Sequence, residues 1–469
     1  MANVALLRTP KMLGYPFTNF LCFPLGLMYL AAALREWGGH RVSIIDPKVE
    51  PISYPEIISM IDQCAADYVG ISGMTYEADE VHIMAGLIKK AYPEKTVVVG
   101  GVHASVAPEE LVGDPAIDYV VLGDGEQSFV RLIEQVESGN PYPEIPGVGY
   151  RRNGAQVIHP RKIPDHDLDS LPFPAWDLVD LEKYFPKVRQ SVIYAHKRYM
   201  SIFTSRGCPY RCVYCHPVFG KKFRMRSPEN VFEEIKILYE KYGIRELHVA
   251  DDCFNLDVPR AERILELLVE NKLDLHISFP NGLRADRLTP GLLRRMKDAG
   301  TYMVSYAIET ASPRLQKLIK KNVRLDKVRE IIEQTNRLGI IANGFFMLGF
   351  PGETREELAM TIDYACSSKF HTASFFVVTP NPGTELYDMV RDAIGKKADE
   401  GGTFHYFHTY GICEVDDEEL QLLLKKANYR FYFNPLRMFR FFSLLPHKRS
   451  LPMLFMRFAK RSFLKGYEE

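Results

Sequence analysis

The sequence predicts an α/β protein with two βα domains in tandem. A Rossmann-like, doubly wound parallel sheet is followed by a partial (β/α)6 barrel and a C-terminal helical region. Two series of short apolar runs alternate with helical patterns, which is typical of parallel sheets. A segment rich in proline separates the two series. With 469 residues, 46% of them hydrophobic, the chain is long enough for two or three domains.

The first domain is predicted to span residues 1–140. Its strands are expected at residues 4–7, 42–45, 68–71, 96–99 and 119–122, with a first helix at 25–37. Small residues follow these strands, namely Ser72, Gly100, Gly101, Gly123 and Gly125. Ligands bind beyond the carboxyl ends of such strands, where glycine lets the backbone approach closely. The first domain is therefore predicted to hold a cofactor.

Residues 141–195 read as a linker with one small hairpin around Asn153 and Gly154, because the segment is rich in proline and charge. The second βα series follows in residues 196–395. Its strands are expected at residues 200–204, 247–250, 275–279, 302–307, 342–348 and 373–378. Six parallel units predict a partial barrel.

Residues 396–469 form a distinct region. From residue 421 onward there are 11 Lys or Arg and 2 Asp or Glu, a net charge of +9 in a chain whose total is zero. Aromatic residues alternate with the basic ones, and Pro435, Pro446 and Pro452 divide the segment into short helices. These helices either cap the open side of the barrel or lie against an anionic membrane surface. Without an RNA-binding module, nucleic acid is not expected as a partner.

Cys208, Cys212 and Cys215 form a CxxxCxxC triplet directly after the first barrel strand. Three thiolates are one ligand fewer than a closed zinc or iron-sulfur site needs, so the spacing predicts an open coordination position. A zinc site completed by His216 is the alternative. The other cysteines are expected to be buried free thiols in a reducing compartment; they are Cys22, Cys64, Cys253, Cys366 and Cys413.

Polar groups follow the later barrel strands. Asp251 and Asp252 end the second strand, Arg284 follows the third, Glu309 the fourth, and the loop from Gly349 through Pro351 to Glu353 the fifth. Each has an ordinary structural explanation, as a helix cap, a surface ion pair or a turn. Together they point to one binding face, because the carboxyl ends of barrel strands share one side of the fold.

The Cys208–Cys215 loop, with the aromatic Tyr214 before its last cysteine, resembles the radical S-adenosylmethionine (SAM) superfamily. Further motifs resemble the branch that carries an N-terminal cobalamin-binding (B12-binding) domain, which includes radical SAM methyltransferases and the anaerobic porphyrin-ester cyclase. These motifs are at residues 307–310, 346–354, 379–384, 24–31, 99–103 and 122–126. The resemblance covers residues 1 to about 395.

This resemblance implies three cofactors: a 4Fe-4S cluster on the three cysteines, SAM on the open iron, and cobalamin in the first domain. Asp251 and Asp252 would hold the SAM amino group, Arg284 its carboxylate, and Glu309 the ribose or methionine end. Tyr214 and the loop at Gly349 and Pro351 would lie along the adenine. Contacts to the cobalamin nucleotide tail would come from the small residues after the first-domain strands, Ser72, Gly100, Gly101, Gly123 and Gly125.

One position departs from the cobalamin-binding pattern. The DxHxxG signature aligns on residues 46–51, where Lys48 stands in place of the cobalt-ligating histidine and Pro51 in place of glycine. No lower ligand is therefore expected from this loop, and a domain that has lost cobalamin is the alternative. His82 and His103 are interpreted as ordinary helix and loop residues.

The expected activity is cobalamin-dependent methyl transfer to an unactivated carbon of a small-molecule, lipid or tetrapyrrole substrate. An oxidative, ring-forming cyclase is the runner-up, and a non-catalytic iron-sulfur or corrinoid protein the third hypothesis. The electron would come from a donor such as ferredoxin or flavodoxin. No secretory signal or membrane-spanning run is visible, so a cytoplasmic enzyme is expected, with peripheral membrane contact through the C-terminal region as an open alternative.

Overall fold

The computed structural model describes residues 1–10, 21–162, 167–187, 193–216, 218–395 and 410–448, and residues 451, 452, 454 and 456. The chain divides into two compact units, the first mainly Met1–Val188 and the second mainly Arg189–Cys215, Phe223–Glu400 and Phe404–Glu469. Several predicted tail residues lie outside the described residues: Arg449, Phe455, Arg457, Phe458, Lys460, Arg461 and Phe463.

The first unit contains a seven-stranded sheet in the order β2-β1-β3-β4-β5-β6-β7. Its strands are β1 (Asn3–Arg8), β2 (Arg41–Ile45), β3 (Tyr68–Ser72), β4 (Thr96–Gly100), β5 (Tyr119–Val121), β6 (Val148–Arg152) and β7 (Ala155–Ile158). The first five pair in parallel, whereas β6 and β7 are antiparallel. All five strands predicted for the first domain are confirmed.

The hairpin expected inside the 141–195 linker is present, but it is not part of a linker. Its first strand, β6, pairs with β5, with Tyr150 opposite Tyr119, so the hairpin extends the first sheet at its edge. The two rings meet edge-on with centroids 6.2 Å apart. The sheet therefore continues beyond residue 140, because the hairpin covers the edge that β5 would otherwise expose.

Helices cover both faces of this sheet. They are α1 (Leu25–Glu36), α2 (Tyr54–Gln63), α3 (Ala78–Ala91), α4 (Val102–Val106), α5 (Pro108–Gly113), α6 (Gly125–Glu137) and α7 (Leu181–Tyr184). Side chains of β1 alternate between two cores: Ala5 and Leu7 belong to one, and Val4 and Leu6 to the other. This alternation explains why the parallel strands read as continuous apolar runs, since both faces are buried.

The second unit contains a six-stranded parallel sheet in the order β15-β14-β13-β12-β11-β8. Its strands are β8 (Tyr199–Ile202), β11 (Glu246–Val249), β12 (His276–Leu283), β13 (Thr301–Glu309), β14 (Ile341–Leu348) and β15 (Thr372–Val377). Two short antiparallel strands, β9 (Ser205–Arg206) and β10 (Arg224–Met225), pair beside it. The sequential order confirms the predicted partial barrel.

Helices follow the strands of this sheet in turn. They are α8 (Pro228–Glu240), α9 (Val258–Glu270), α10 (Pro290–Asp298), α11 (Pro313–Leu318), α12 (Leu325–Arg337), α13 (Arg355–Ser367) and α14 (Glu385–Ile394). Most begin at a capping side chain, such as Ser227 before α8 and Thr289 before α10, which accept a backbone N–H of the first turn. Because the strands of this sheet are all parallel, the loops that lead from each strand to the next helix lie on one side of the barrel.

The C-terminal helices pack on the barrel within the second unit. They are α15 (Asp417–Tyr432) and α16 (Pro435–Leu444). The hydroxyl of Tyr432 accepts the N–H of Ala373 at 3.1 Å and donates to its carbonyl at 2.7 Å, so it pairs the free edge of β15. Phe431 and Phe441 are buried. The capping alternative is thereby supported, and every helix in the described ranges is too short or too polar to cross a lipid bilayer.

Arg437, from the basic tail, is almost fully buried and anchors α16. Its guanidinium donates to the carbonyls of Phe370 at 3.1 Å, Phe431 at 2.6 Å, and Cys366 and Ser368 at 2.7 and 3.0 Å. It also lies 3.7 Å from the ring centroid of Phe431. These contacts make Arg437 a structural cation, not one available for an anionic surface.

Replacing Arg437 with methionine should lower the free energy of unfolding by about 3 kcal/mol, because several buried carbonyls lose a charged donor. Arg430→Met is the matched control, since Arg430 makes an exposed ion pair with Asp363 and its loss should cost under about 1 kcal/mol. Both values can be measured by anaerobic urea unfolding followed by far-UV circular dichroism. Equal losses for the two variants would contradict the anchoring role.

Candidate functional site

The cysteine loop is held at its middle. Val213 is buried between α11 and α14, and its N–H donates to the Ile319 carbonyl at 3.2 Å while its own carbonyl accepts the N–H of Leu386 at 2.9 Å. At the start of the loop, the N–H of Gly207 donates to Asp252 Oδ2 at 3.1 Å. The loop that carries the three thiols is thus fixed to the carboxyl-end side of the barrel.

Two of the three thiols of this loop, Cys208 and Cys212, lie in an environment that favours the thiolate. The pKa of Cys215 is raised instead, by its hydrogen bond with Cys212 and by burial. Cys212 and Cys215 hydrogen-bond to each other, and this bond, with the nearby Lys321 ammonium, lowers the pKa of Cys212 to about 6. A hydrogen bond from Cys253 lowers the pKa of Cys208 to about 7. Since thiolates are the metal-binding form, three sulfur donors on one loop fit a cluster that leaves one iron open.

Cys253 was predicted only as a buried free thiol. It is buried, as expected, but it also contacts Cys208. The available signal was its position directly after Asp251 and Asp252 at the end of β11.

The two aspartates after β11 have different environments. Asp251 is buried and accepts three hydrogen bonds, from the N–H and hydroxyl of Thr204 at 2.6 and 2.5 Å and from the Ser205 hydroxyl at 2.6 Å. Burial raises the pKa of Asp251, against the effect of these bonds. Asp252 is exposed and holds the Gly207 N–H. Asp251 therefore supports the strand that leads into the cysteine loop, while Asp252 faces solvent beside it.

Arg284 lies beside the loop that carries Cys208. Its guanidinium forms an ion pair with Asp286 at 2.9 Å and lies 4.0 Å from the ring centroid of Tyr210. It also donates to the Lys321 carbonyl at 3.1 Å. Arg284 does form an ion pair, as its structural interpretation predicted. The pair also orients the guanidinium toward the cysteine loop.

Glu309 lies in a buried polar triad with two other residues. Its carboxylate is 3.1 Å from the Lys321 Nζ and accepts the Tyr214 hydroxyl at 3.1 Å, and Lys321 donates to the same hydroxyl at 3.2 Å. Glu309 ends β13 with a φ of 68°, in the left-handed region where the strand turns. Burial alone would lower the pKa of Lys321, but Glu309 and Cys212 raise it.

No pattern in the sequence identifies Lys321 as a residue of the site. It follows Lys320 in a segment that reads as surface charge, and no motif distinguishes the two. Only the fold brings its ammonium to Glu309 and Tyr214. The triad links the cysteine loop to the end of β13.

The loop after β14 is held by a buried carboxyl group. Glu353 Oε2 accepts the N–H groups of Gly349 at 2.6 Å and Phe350 at 2.9 Å. Gly349 has a φ of 96°, and a Cβ there would lie 2.8 Å from the Leu420 side chain, so glycine is required. Pro351 is half-buried at the turn of this loop. The arrangement fixes a tight turn at the end of the strand.

Burial raises the pKa of Glu353 to about 7. The folded state therefore holds this proton more tightly than the unfolded state, and the resulting stability is lost as pH rises from about 4.5 through 7. A shift of this size corresponds to about 3 kcal/mol. Glu353→Gln should flatten the fall in unfolding free energy between pH 5 and 7.5, measured by anaerobic urea unfolding. Glu356→Gln, an exposed neighbour, should keep the wild-type slope; a flattened slope there too would contradict this assignment.

In the first unit, the predicted small residues meet at the ends of β3, β4 and β5. Ser72 pairs with Gly100 in the sheet. Gly101 has a φ of 93°, and a Cβ there would lie 2.9 Å from Ser72 Oγ. Ser105 Oγ donates to the Gly101 carbonyl at 3.1 Å and accepts the Gly123 N–H at 2.8 Å. These contacts form a narrow backbone cradle, which fits the approach of a ligand tail.

Gly125 starts α6, next to the turn at Gly123. Ser105 was not predicted, although it lies four residues after Gly101 and joins the two glycine turns.

Lys48 stands where the resembling pattern has a cobalt-ligating histidine. Its ammonium forms an ion pair with buried Glu77, whose other oxygen accepts the Thr9 hydroxyl at 2.8 Å. Burial lowers the pKa of Lys48. The side chain of Lys48 is therefore held within the fold by Glu77.

The chain resembles known proteins in both units. Residues 202–365 match the radical SAM superfamily, and residues 18–133 match the B12 binding domain. An uncharacterized methyltransferase of Pyrococcus horikoshii is 33% identical over 88% of both chains. The cytidylyl-2-hydroxyethylphosphonate methyltransferase of Streptomyces wedmorensis is 32% identical over 87% of this chain and 86% of its own.

A solved structure has the same fold. It is the cobalamin-dependent S-adenosylmethionine radical enzyme OxsB, with a TM-score of 0.74 and 17% identity over 100% of this chain and 77% of the other. At this identity the likeness concerns the fold alone.

Proposed function

The chain belongs to the cobalamin-binding branch of the radical SAM superfamily, and we propose that it methylates an unactivated carbon of a small-molecule substrate. The observation that carries this proposal is the convergence of three thiols of one rigid loop with the buried triad of Glu309, Lys321 and Tyr214. The glycine cradle of the first unit adds a place for a second cofactor.

Cys208, Cys212 and Cys215 would hold the 4Fe-4S cluster, and the cradle of Ser72, Gly100 and Gly101 would hold the cobalamin nucleotide tail, with Gly123 and Gly125 at the adjoining turn. When bound, the cluster would supply the one electron that cleaves SAM and so provide the radical that takes a hydrogen atom from the substrate carbon, and cobalamin, remethylated by a second SAM, would supply the methyl group that replaces it. A low-potential protein such as ferredoxin or flavodoxin would donate the electron.

The protein's own side chains would position SAM. We assign the amino group to exposed Asp252, with Asp251 holding Thr204 and Ser205 beneath it. Arg284 would bind the SAM carboxylate, since Asp286 and Tyr210 fix its guanidinium.

Glu309 would accept the ribose hydroxyls or the methionine end, and Lys321 would position it. The turn at Gly349 and Pro351 would lie along the adenine. The Tyr214 ring, 6.3 Å from Phe350, would support that turn.

The substrate class is a further part of the proposal. One relative is named a cytidylyl-2-hydroxyethylphosphonate methyltransferase, and another an anaerobic magnesium-protoporphyrin IX monomethyl ester cyclase. A small or tetrapyrrole-like molecule is therefore favoured.

The decisive experiment uses SAM labelled in its methyl group. Enzyme produced with cobalamin, and showing a corrinoid spectrum, is incubated anaerobically with reductant, labelled SAM and a small-molecule extract. Mass spectrometry should find the label in a new product together with 5'-deoxyadenosine. A product without label, formed with 5'-deoxyadenosine, would support the ring-forming alternative and contradict methyl transfer. Cys212→Ala enzyme is the control for non-enzymatic methylation.

We also propose peripheral membrane contact through the exposed apolar side chains around the start of α16. Phe433, Leu436 and Phe439 are 68%, 77% and 74% exposed. An amphipathic helical surface of this kind binds the lipid interface. Truncation is a poor test because α15 covers β15.

The triple serine variant at Phe433, Leu436 and Phe439 should therefore float less with anionic vesicles than the wild type. Leu422→Ser is the control, because it removes an apolar side chain that is also exposed, at 65%, but lies earlier on α15, outside the proposed contact surface. Equal flotation of all three proteins would remove the membrane proposal.

A further inference from the structure

We propose that His82, His103 and Glu110 bind a divalent transition-metal ion of the zinc type, at a site separate from the cluster cysteines. The three residues come from three consecutive helices of the first unit: His82 from α3, His103 from α4 and Glu110 from α5. Their potential ligand atoms all lie within 4.8 Å of one another.

The separations of Glu110 from the two histidines suit a tetrahedral ion. Glu110 Oε1 lies 3.1 Å from His82 Nε2 and 3.5 Å from His103 Nε2. Ligands about 2.0–2.1 Å from zinc in tetrahedral geometry lie about 3.3 Å apart. The two measured separations lie on either side of that value. Three protein ligands leave the fourth position to water, as in open zinc sites.

His103 gives the independent indication of a ligand. Its side chain is only 3% exposed, Nδ1 has no hydrogen-bond partner among the described residues, and Nε2 has only the long 3.5 Å contact with Glu110 Oε1. Leaving a buried polar nitrogen without a good partner costs about 1–3 kcal/mol. A metal bond to Nε2 would satisfy the nitrogen that faces Glu110.

His82 is oriented as a metal ligand would be. Its Nδ1 lies 2.5 Å from Asp114 Oδ2, so the ring donates there and leaves Nε2 toward Glu110. A carboxylate behind a histidine is the usual support for a zinc-binding imidazole. Glu110 is half-exposed, at 51% of its side chain, and provides the route of entry from solvent.

The ion would hold α4 in place. This helix starts directly after Gly101, and its Ser105 contacts both glycine turns of the cradle. A metal that joins α4 to α3 and α5 would thus restrain the loop assigned to the cobalamin tail. The metal site itself rests on its own three side chains and does not depend on that assignment.

The test titrates zinc chloride into reconstituted full-length enzyme under anaerobic conditions, with calorimetry and elemental analysis. One zinc per chain should bind with the iron content unchanged. Glu110→Gln should weaken binding at least tenfold, and Asp114→Asn by about 10- to 100-fold. Glu109→Gln, the exposed neighbour on the same helix, should bind as the wild type does.

Any of three results would overturn the site. One is an absence of saturable zinc binding. Another is zinc binding that displaces iron, and the third is zinc binding that is equal in wild type, Glu110→Gln and His103→Ala. Because Glu110 is on the surface, its replacement should leave the fold intact, as circular dichroism can verify.

Discussion

Replacing Cys212 with alanine should abolish formation of 5'-deoxyadenosine from SAM and remove the cluster absorbance and most bound iron. The reason is ligand number, since two thiolates cannot hold the cluster that three would hold. Cys212 also has the lowest pKa of the three thiols, because of its hydrogen bond with Cys215 and the nearby Lys321 ammonium. Iron and sulfide analysis, with chromatographic detection of 5'-deoxyadenosine, measures the effect.

Two cysteine controls make this result specific. Cys366→Ala, in α13, should keep the cluster and SAM cleavage. Cys253→Ala is the sharper control, because Cys253 contacts Cys208 but is not assigned as a ligand. A full cluster with SAM cleavage in Cys212→Ala would make the central assignment wrong. Loss of the cluster in Cys253→Ala would instead make Cys253 a fourth ligand and close the open iron.

Replacing Glu309 with alanine should have the second largest effect, on both stability and SAM binding. The Lys321 ammonium, 9% exposed, would be left buried without its carboxylate, which costs about 3–5 kcal/mol. Loss of the hydrogen bonds to SAM should cost a further 1.5–3 kcal/mol of binding, about 10- to 150-fold in affinity. Urea unfolding and equilibrium SAM binding measure the two effects separately.

The double variant Glu309→Gln with Lys321→Met separates the two roles. With both charges removed, stability should recover most of the loss, while SAM binding should stay weak. If the double variant binds SAM as the wild type does, the carboxylate does not contact SAM. Iron content should match the wild type in both variants, since neither residue is a cluster ligand.

The strands and the site's location could be predicted because they depend on local patterns. Parallel strands buried on both faces read as apolar runs, as β1 and β3 do. The residues that follow β11, β12, β13 and β14 could be assigned to one site, because the loops at the carboxyl ends of barrel strands lie on one face. The β6–β7 hairpin was also visible, through Asn153 and Gly154, but its pairing with β5 was not. Strand pairing across a chain depends on side-chain packing that a turn signal does not encode.

The sequence did not predict which side chains contact one another. Lys321 resembles its surface neighbour Lys320, and His103 resembles any loop histidine, until the fold buries them. Arg437 was counted with a basic surface but lies inside the protein. Three of its four carbonyl partners are 67, 69 and 71 residues away, namely Phe370, Ser368 and Cys366. Once buried, each of these groups loses its hydrogen bonds to water and is stable only with a polar partner in the protein.

The sequence by itself determined the two βα domains, the three-thiol loop and the family, because spacing and periodicity are local properties of the chain. Only the tertiary structure decided which charges face each other. Glu309 with Lys321, Cys208 with Cys253, and Glu110 with His82 and His103 meet through the packing of separate elements. Some of these partners are close in sequence, such as Glu309 and Lys321, which are 12 residues apart, but no sequence pattern pairs them, because their energies arise from burial and distance in space.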